Sequence, residues 1–507
     1  MNRIIADVHP SQTRVVLLQD GEPIEYNVSR KGSEPIVGNI YKGKVENVIV
    51  GMQAAFVDIG LERNAFLYAG DILADTLDFE FEGEKSNVVE KIGVPINKLV
   101  HPGQDIIVQV LKEAGGNKGA RVTTNITIPG KNLVLMPTVS YVGVSRKIND
   151  ENERNRLKNT IEELRNPEHG YIVRTAAQNQ SMESFDFEMK YLERKWRQIQ
   201  TAARQQKSPS ILHRESSLIL TTLRDIFNVN VDKFIINDKA AYEQVVDATK
   251  LYTPELVERI EYFDKSKDIY AYYQLSGKLE KLLERRVWLD SGAYLVIDHT
   301  EALTIIDVNT GKFTGDTKLA DTIFKTNISA AKEIARQVRL RGIGGIIIID
   351  FIDMDSVEEQ EAVLEVLRQA VKLDRVKTNI VGFTGLGLVE MTRKKVRQNL
   401  RSVLQKQCSH CTGSGAILNE ESVVHNLRLE INRIFENSTT DTLLLIVHPD
   451  ISNAIINGDI LYYDKLSWAD RKIFIATDVN CHIEDTSIKR LSEKEIYDNY
   501  SDVQRFC

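Results

Sequence analysis

The segment "RGIGGIIIIDFIDM", Arg341 to Met354, sets four consecutive isoleucines between a glycine break and an aspartate. A β-branched run this short favours a strand over a helix, because branched side chains pack well on a pleated surface and stiffen χ1 in a helix. Its near-continuous apolar character predicts a strand covered on both faces of its sheet. Upstream, "AYLVID", the turn "HTEA" and "LTIIDVN" read as a β-hairpin, followed by a helix to about Leu340. Ser356 and Glu359 form an S-x-x-E pattern that predicts a capping box for the helix "VEEQEAVLEVLRQAVKL". Strand, helix, strand, helix order gives an α/β layer that binds its ligands at strand ends.

Both apolar segments end on a carboxylate, Asp307 and Asp350. A period of two places Asp307 and Asn309 on the same face of one strand, and Asp350 joins them if the two strands are neighbours. Two carboxylates and an amide oxygen are hard ligands that suit Mg²⁺ or Mn²⁺ better than zinc. Such an ion activates water for attack on a phosphodiester and offsets charge on the phosphoryl oxygens. The alternative is that both aspartates merely cap strands in solvent-facing loops, and spacing leaves the two open.

The chain of 507 residues is too long for one core, so several domains are expected, in a multidomain α/β (α+β) class. Residues 1–35 read as three short strands that need a later segment to complete their sheet. Residues 36–122 carry short strands with glycines at the bends, the pattern of a small closed barrel of the OB class. An acidic insertion, "TLDFEFEGEKSN", interrupts it and reads as a surface loop. A helix is expected from about Asp150 to Asn166, the strand "GYIVRT" after it, and a long basic helix over 184–206. A further small α/β domain follows Gly415, with a helix near Glu420 to Glu436 and the strands "TLLLIVH" and "RKIFIAT".

No apolar run reaches the roughly 18 residues of a membrane span, and the N-terminus lacks the apolar core of a signal peptide. A cytoplasmic protein is expected, and four cysteines in so long a chain agree with a reducing compartment. The net charge of −7 argues against indiscriminate coating of nucleic acid. The basic run "MTRKKVRQNLRSVLQK" from Met391 reads as a solvated face or a local phosphate contact. Cys408 and Cys411 form one C-x-x-C, half of a four-thiolate site. Three completions are open: His410 with a distant ligand, a redox dithiol, or the same pair from a second subunit.

Several separated segments resemble the ribonuclease E/G endoribonucleases: "TRVVLLQDG", "GNIYKGKVENVIVGMQAAFVDIG", "VRTAA", "SGAYLVIDHTEALTIIDVNTGKFTG", "GGIIIIDFIDM", "EMTRKK" and "CSHCTGSG". The resemblance covers nearly the whole chain. It implies that Asp307 and Asp350 hold a catalytic Mg²⁺ with Asn309 beside them. It makes residues 36–122 an S1-type RNA-binding domain in which Phe56, Phe66 and Lys112 hold single-stranded RNA, where an isolated pair of phenylalanines would otherwise be read as barrel core. Arg174 and Thr175 match the family's sensor for a 5′-monophosphate, within residues 123–218, and Arg146 and Arg393 look like supporting arginines. Lys147 stands where a second arginine is expected.

By the same resemblance, residues 1–35 with 219–282 form an RNase H-like subdomain, whose only acid in the first strand is Asp7. Residues 283–404 form a DNase I-like catalytic domain, 405–419 a zinc link, and 420–507 a small oligomerisation domain. Cys408 and Cys411 are then shared with a second subunit, giving a homodimer, with a homotetramer left open. "DVNTGKFTG" and an end at Cys507, without a long disordered scaffold, look like the ribonuclease G branch. The function implied is Mg²⁺-dependent cleavage of single-stranded, AU-rich RNA with a 5′-monophosphate preference, in rRNA and tRNA processing and mRNA decay. Two rivals are compatible with the sequence, a non-catalytic S1-type RNA-binding or ribosome-associated protein and a DNA endonuclease.

Overall fold

The computed structural model describes all residues except 33, 73–93, 115–117, 265–267, 312–318, 459–460, 462–467, 469, 501–502 and 507. The acidic insertion and most of "GKFTG" lie outside the described residues. The chain divides into two compact units, Met1–Leu404 and Gln405–Cys507. Among the described residues no helix is long and apolar enough to cross a membrane.

Strands β1 (Asn2–His9), β2 (Gln12–Gln19) and β3 (Glu22–Arg30) form an antiparallel meander. Next come β4 (Ile40–Ile49), β5 (Ala54–Asp58), β6 (Ala65–Tyr68), β7 (Asp105–Lys112) and β8 (Arg121–Thr123). Their order is β4-β5-β6-β8-β7, and β7 pairs back onto β4, so these five strands close into a barrel. Tight curvature requires glycine at position 43, where a Cβ would lie 2.5 Å from Val57 Cγ1 and 2.9 Å from the Asp58 carbonyl oxygen.

β9 (Ile128–Pro129), β10 (Leu133–Met136), β11 (Val142–Val144) and β12 (Gly170–Val173) make a small mixed sheet. The helices Glu151–Leu164 and Met182–Gln205 pack beside it, each opened by a side chain, Asp150 and Ser181, that accepts from first-turn N–H groups. β13 (Ser210–His213) leaves this region and adds an outer strand to β4 of the barrel. β14 (Lys233–Ile236) and β15 (Ile260–Tyr262) then complete the N-terminal sheet, with β14 parallel to β1. Asp7 is structural there: it is buried, pairs with Arg14 and accepts from Asn237 Nδ2 at 2.7 Å.

The last sheet of the first unit runs β16-β17-β18-β19-β21-β20, from β16 (Arg286–Trp288), β17 (Tyr294–His299), β18 (Leu303–Asn309), β19 (Gly345–Asp350), β20 (Thr378–Phe383) and β21 (Leu388–Arg393). β17 and β18 are the expected hairpin. The parallel step from β18 to β19 is bridged by the helix Leu319–Leu340. On one face Ile306, Val308, Ile347, Ile349, Val389 and Met391 are buried against Ala330, Ala331, Ile334, Val363 and Leu367 of the helices Leu319–Leu340 and Val357–Lys372. Each Ile, Val, Leu or Met side chain among them contributes about 1.5 to 3 kcal/mol on burial.

The opposite face corrects the expectation of a doubly covered strand. Ile346 is 49% and Ile305 39% exposed, so "IIIID" alternates in burial although it does not alternate in sequence. The capping box is also half made: Ser356 Oγ accepts from the Glu359 N–H, but its hydroxyl donates to Glu358 instead of Glu359 answering. In the second unit, β22 (Thr442–Val447) and β23 (Lys472–Thr477) are parallel, flanked by β24 (Ser487–Arg490) and β25 (Val503–Arg505). The helix Glu420–Asn437 buries Val423, Val424, Leu427 and Ile431 against them.

Candidate active site and nucleic-acid interface

β18 and β19 run parallel with Asp307 directly opposite Asp350. Their side chains emerge on the open face of the sheet, because Ile306, Val308 and Ile349 take the covered one. Asn309 Nδ2 donates to Asp307 Oδ2 at 2.7 Å and fixes that carboxylate's orientation. Burial, then the negative charges of Asp307 and Asp353, push the Asp350 carboxyl above its ordinary pKa. Like charges held across a strand pair form a donor set that a hard divalent cation relieves.

Two residues at this site escape a reading by motif. Asp353 adds a third acidic charge three positions after Asp350, in the loop leaving β19. Asn327, fully buried in the helix Leu319–Leu340, donates from Nδ2 to the Ile352 carbonyl (2.8 Å) and accepts from the Ile352 N–H (3.2 Å). It clamps the backbone two residues beyond Asp350.

On the barrel, Phe56 and Phe66 are opposite each other on β5 and β6, with ring centroids 6.1 Å apart and nearly perpendicular. They stand outside the barrel core, which Val45, Val57, Leu67, Val108 and Val122 fill. Register extends the row in both directions, from Asn47 through Phe56 and Phe66 to Arg121 and Lys112. Lys112 is exposed, while Arg121 is held by both oxygens of Asp71 at 2.8 and 3.1 Å. Tyr68, 43% exposed, shares the face of Phe66. The sequence reading names neither residue: alternation in "AFLY" is a signal for Tyr68, whereas Arg121 is visible only from the pairing of β8 with β6.

Arg174 and Thr175 follow β12, and Arg146 leaves the end of the parallel neighbour β11, so all three emerge at the same sheet end. Arg146 and Thr175 are exposed. Arg174 is tied by Nη2 to Asp225 at 2.7 Å and by Nη1 to the Gly130 carbonyl at 2.7 Å. Against the effect of its burial, bonds and charges from Arg224 and Arg174 hold the Asp225 carboxyl below its usual range. Lys147 Nζ reaches the Arg375 carbonyl at 3.3 Å.

Arg393 needs correction as a phosphate contact. It is 4% exposed, with Nε on Asp374 at 2.7 Å, Nη2 on the same carboxylate at 3.3 Å and Nη1 on the Ile343 carbonyl at 2.8 Å. Every guanidinium nitrogen is engaged. Its effect is to brace the Asp374–Arg375 turn, from which Arg375 Nη1 donates to the Asp225 carbonyl at 2.9 Å. Arg397 is half-buried near Glu25, so the basic run from Met391 is not a uniformly solvated face.

In the second unit, Thr412, Gly413 and Gly415 take left-handed backbone angles after the C-x-x-C. The Gly415 and Gly413 N–H groups, and then a hydrogen bond with Cys408, hold the Cys411 thiol below its ordinary pKa, which favours the metal-binding thiolate. His410 meets His482, whose Nε2 lies 2.6 Å from the His410 carbonyl oxygen. Among the described residues no third Cys, His, Asp or Glu joins the two thiols.

The Ribonuclease E/G family profile matches residues 127–396. Ribonuclease G of Escherichia coli (strain K12) is 40% identical over 481 residues, 95% of this chain and 96% of that protein. Ribonuclease G of Haemophilus influenzae is 41% identical over 90% of this chain and 92% of its own length. Ribonuclease E of Buchnera aphidicola is 32% identical over 98% of this chain, but over only 55% of that longer protein. With the profile spanning both β18 and β19 and ribonuclease G aligned almost end to end, the chain belongs to the ribonuclease E/G family.

Proposed function

We propose that this endoribonuclease hydrolyses single-stranded, AU-rich RNA in a Mg²⁺-dependent reaction that leaves a 5′-phosphate and a 3′-hydroxyl. The observation that carries the reading is the in-register pair Asp307 and Asp350 on the open face of the sheet, with Asn309 holding Asp307. Asp307 and Asp350 would hold the ion, and Asn309 fixes the Asp307 carboxylate through its Nδ2 hydrogen bond. The bound ion supplies a more acidic water and a counter-charge for the phosphoryl oxygens. The chain does the rest by binding and orienting the strand.

In this reading the closed barrel is an S1-type OB domain. Phe56 and Phe66 stack on unpaired bases and Lys112 contacts phosphate. Arg174, Thr175 and Arg146 receive a 5′-monophosphate through charge-assisted hydrogen bonds that a 5′-hydroxyl cannot match. The meander sheet is the RNase H-like subdomain and the β16–β21 layer the DNase I-like one. Cys408 and Cys411 bind Zn²⁺ jointly with the same pair of a second subunit. The natural substrates are rRNA and tRNA precursors and mRNA.

Cleavage of one short unstructured RNA, with a 5′-monophosphate or a 5′-hydroxyl and with Mg²⁺ or EDTA, tests the reading. Metal-dependent cutting that is faster on the monophosphate is expected. Full activity in an Asp307→Asn, Asp350→Asn double variant, or binding without cutting, overturns it.

A further inference from the structure

Trp288 stands on the edge strand β16, 54% exposed, on the same open face as the acid pair. Register places it in a line across three strands: Trp288 opposite Tyr294, and Tyr294 opposite Asn309. At about 4.8 Å per strand, Trp288 lies roughly 10 Å from Asn309, within reach of a nucleotide next to one held at the acids. The Trp288 and Tyr294 ring centroids are 5.1 Å apart, and the Arg286 guanidinium lies 4.5 Å from the Tyr294 centroid and 5.7 Å from that of Trp288.

Three features distinguish this cluster from stray surface aromatics. The two rings, inclined at 57° to each other, stand beside a cation, and an exposed aromatic ring next to a cation is the combination that binds an unpaired base and its phosphate together. Arg286 makes no ion pair among the described residues, so its charge is available to an anion. Tyr294 is also fixed against the backbone just past Asn309: Gly311 has φ +61°, and a Cβ there would lie 3.2 Å from Tyr294 Cδ1. The ring pair and the acid pair therefore share one face of the same sheet.

We propose that Arg286, Trp288 and Tyr294 form a base-stacking subsite for the unpaired nucleotide adjoining the scissile phosphate. The inference rests on the reading of Asp307 and Asp350 as the cleavage centre. Trp288 is the ring that stacks, Tyr294 sets its tilt, and Arg286 contacts the neighbouring phosphate.

The chain reports on this directly, because of its three tryptophans Trp196 and Trp468 are buried and Trp288 alone is exposed. Titrating the intact protein with a short oligoadenylate in EDTA should quench its tryptophan fluorescence, and the quench should vanish in Trp288→Phe. In cleavage assays Trp288→Ala should raise KM at least about fivefold with kcat little changed, and Trp288→Phe should restore most of the loss. Retained cleavage with no quench and no change in KM overturns the subsite and leaves the nuclease intact. A Trp288 signal that responds to protein dilution and not to RNA also overturns it, because a second copy then covers the ring. Absence of any RNA cleavage by the wild-type protein removes both the subsite and the reading it rests on.

Discussion

Asp350 is held where burial and two neighbouring carboxylates disfavour its negative charge, and this gives the acid pair a pH signature. A carboxyl whose folded pKa is raised contributes stability that is fully present below its unfolded pKa and lost as pH rises through the folded value. Mg²⁺ is therefore expected to raise Tm at neutral pH and to do so less at lower pH, as Asp350 takes up its proton. Thermal melts at both pH values check this, and Asp350→Asn should abolish the difference. If the pair holds the ion as proposed, Asp307→Asn or Asp350→Asn alone should lower kcat at least about a hundredfold, through loss of several kcal/mol of charge stabilisation. Asn327→Leu leaves the Ile352 amide without its partners and should cost about 2 kcal/mol of stability, with a further fall in kcat as Asp350 loses its support; denaturation and kinetics separate the two. Strand periodicity and an apolar run ending in an acid made Asp307, Asn309 and Asp350 legible in the sequence. Asn327 was not, because a helical asparagine shows no sign of a backbone partner 25 residues later.

Among the elements, the barrel offers the clearest separation of packing from binding. Since the row from Phe56 to Lys112 lies outside the core, Phe56→Ala and Phe66→Ala should each weaken single-stranded RNA binding by about 1 to 3 kcal/mol. They should change Tm little, whereas Gly43→Ala, which drives a methyl into Val57, should lower Tm clearly. Anisotropy titrations beside melting curves distinguish the two classes, and a large Tm loss in the phenylalanine variants would return those rings to the core. The same elements mark the limit of sequence reading. Isoleucine runs look alike whether one or both faces of their strand are covered, so the open side of "IIIID" became visible only once β18 and β21 were placed beside it. Arg393 turns inward for a reason equally hidden in the sequence: a basic run does not disclose which of its members pairs with a buried acid such as Asp374.

At the scale of the whole molecule, the paired thiols of Cys408 and Cys411 set an expectation about assembly. A site shared between two chains predicts about one zinc per two chains, and Cys411→Ser should shift the protein toward monomers in sedimentation. One zinc per chain would instead demand further ligands. A different consequence follows from the N-terminal sheet, where Asp7 on β1 bonds to Asn237, 230 residues further along. During synthesis at roughly 5 to 20 residues per second, the edge of β1 waits about 10 to 50 seconds for β14 to leave the ribosome. The barrel strands need nothing beyond Thr123 to close on themselves. The first strands to emerge thus belong to a sheet finished after the barrel, and the edge of β1 stays unpaired over that interval.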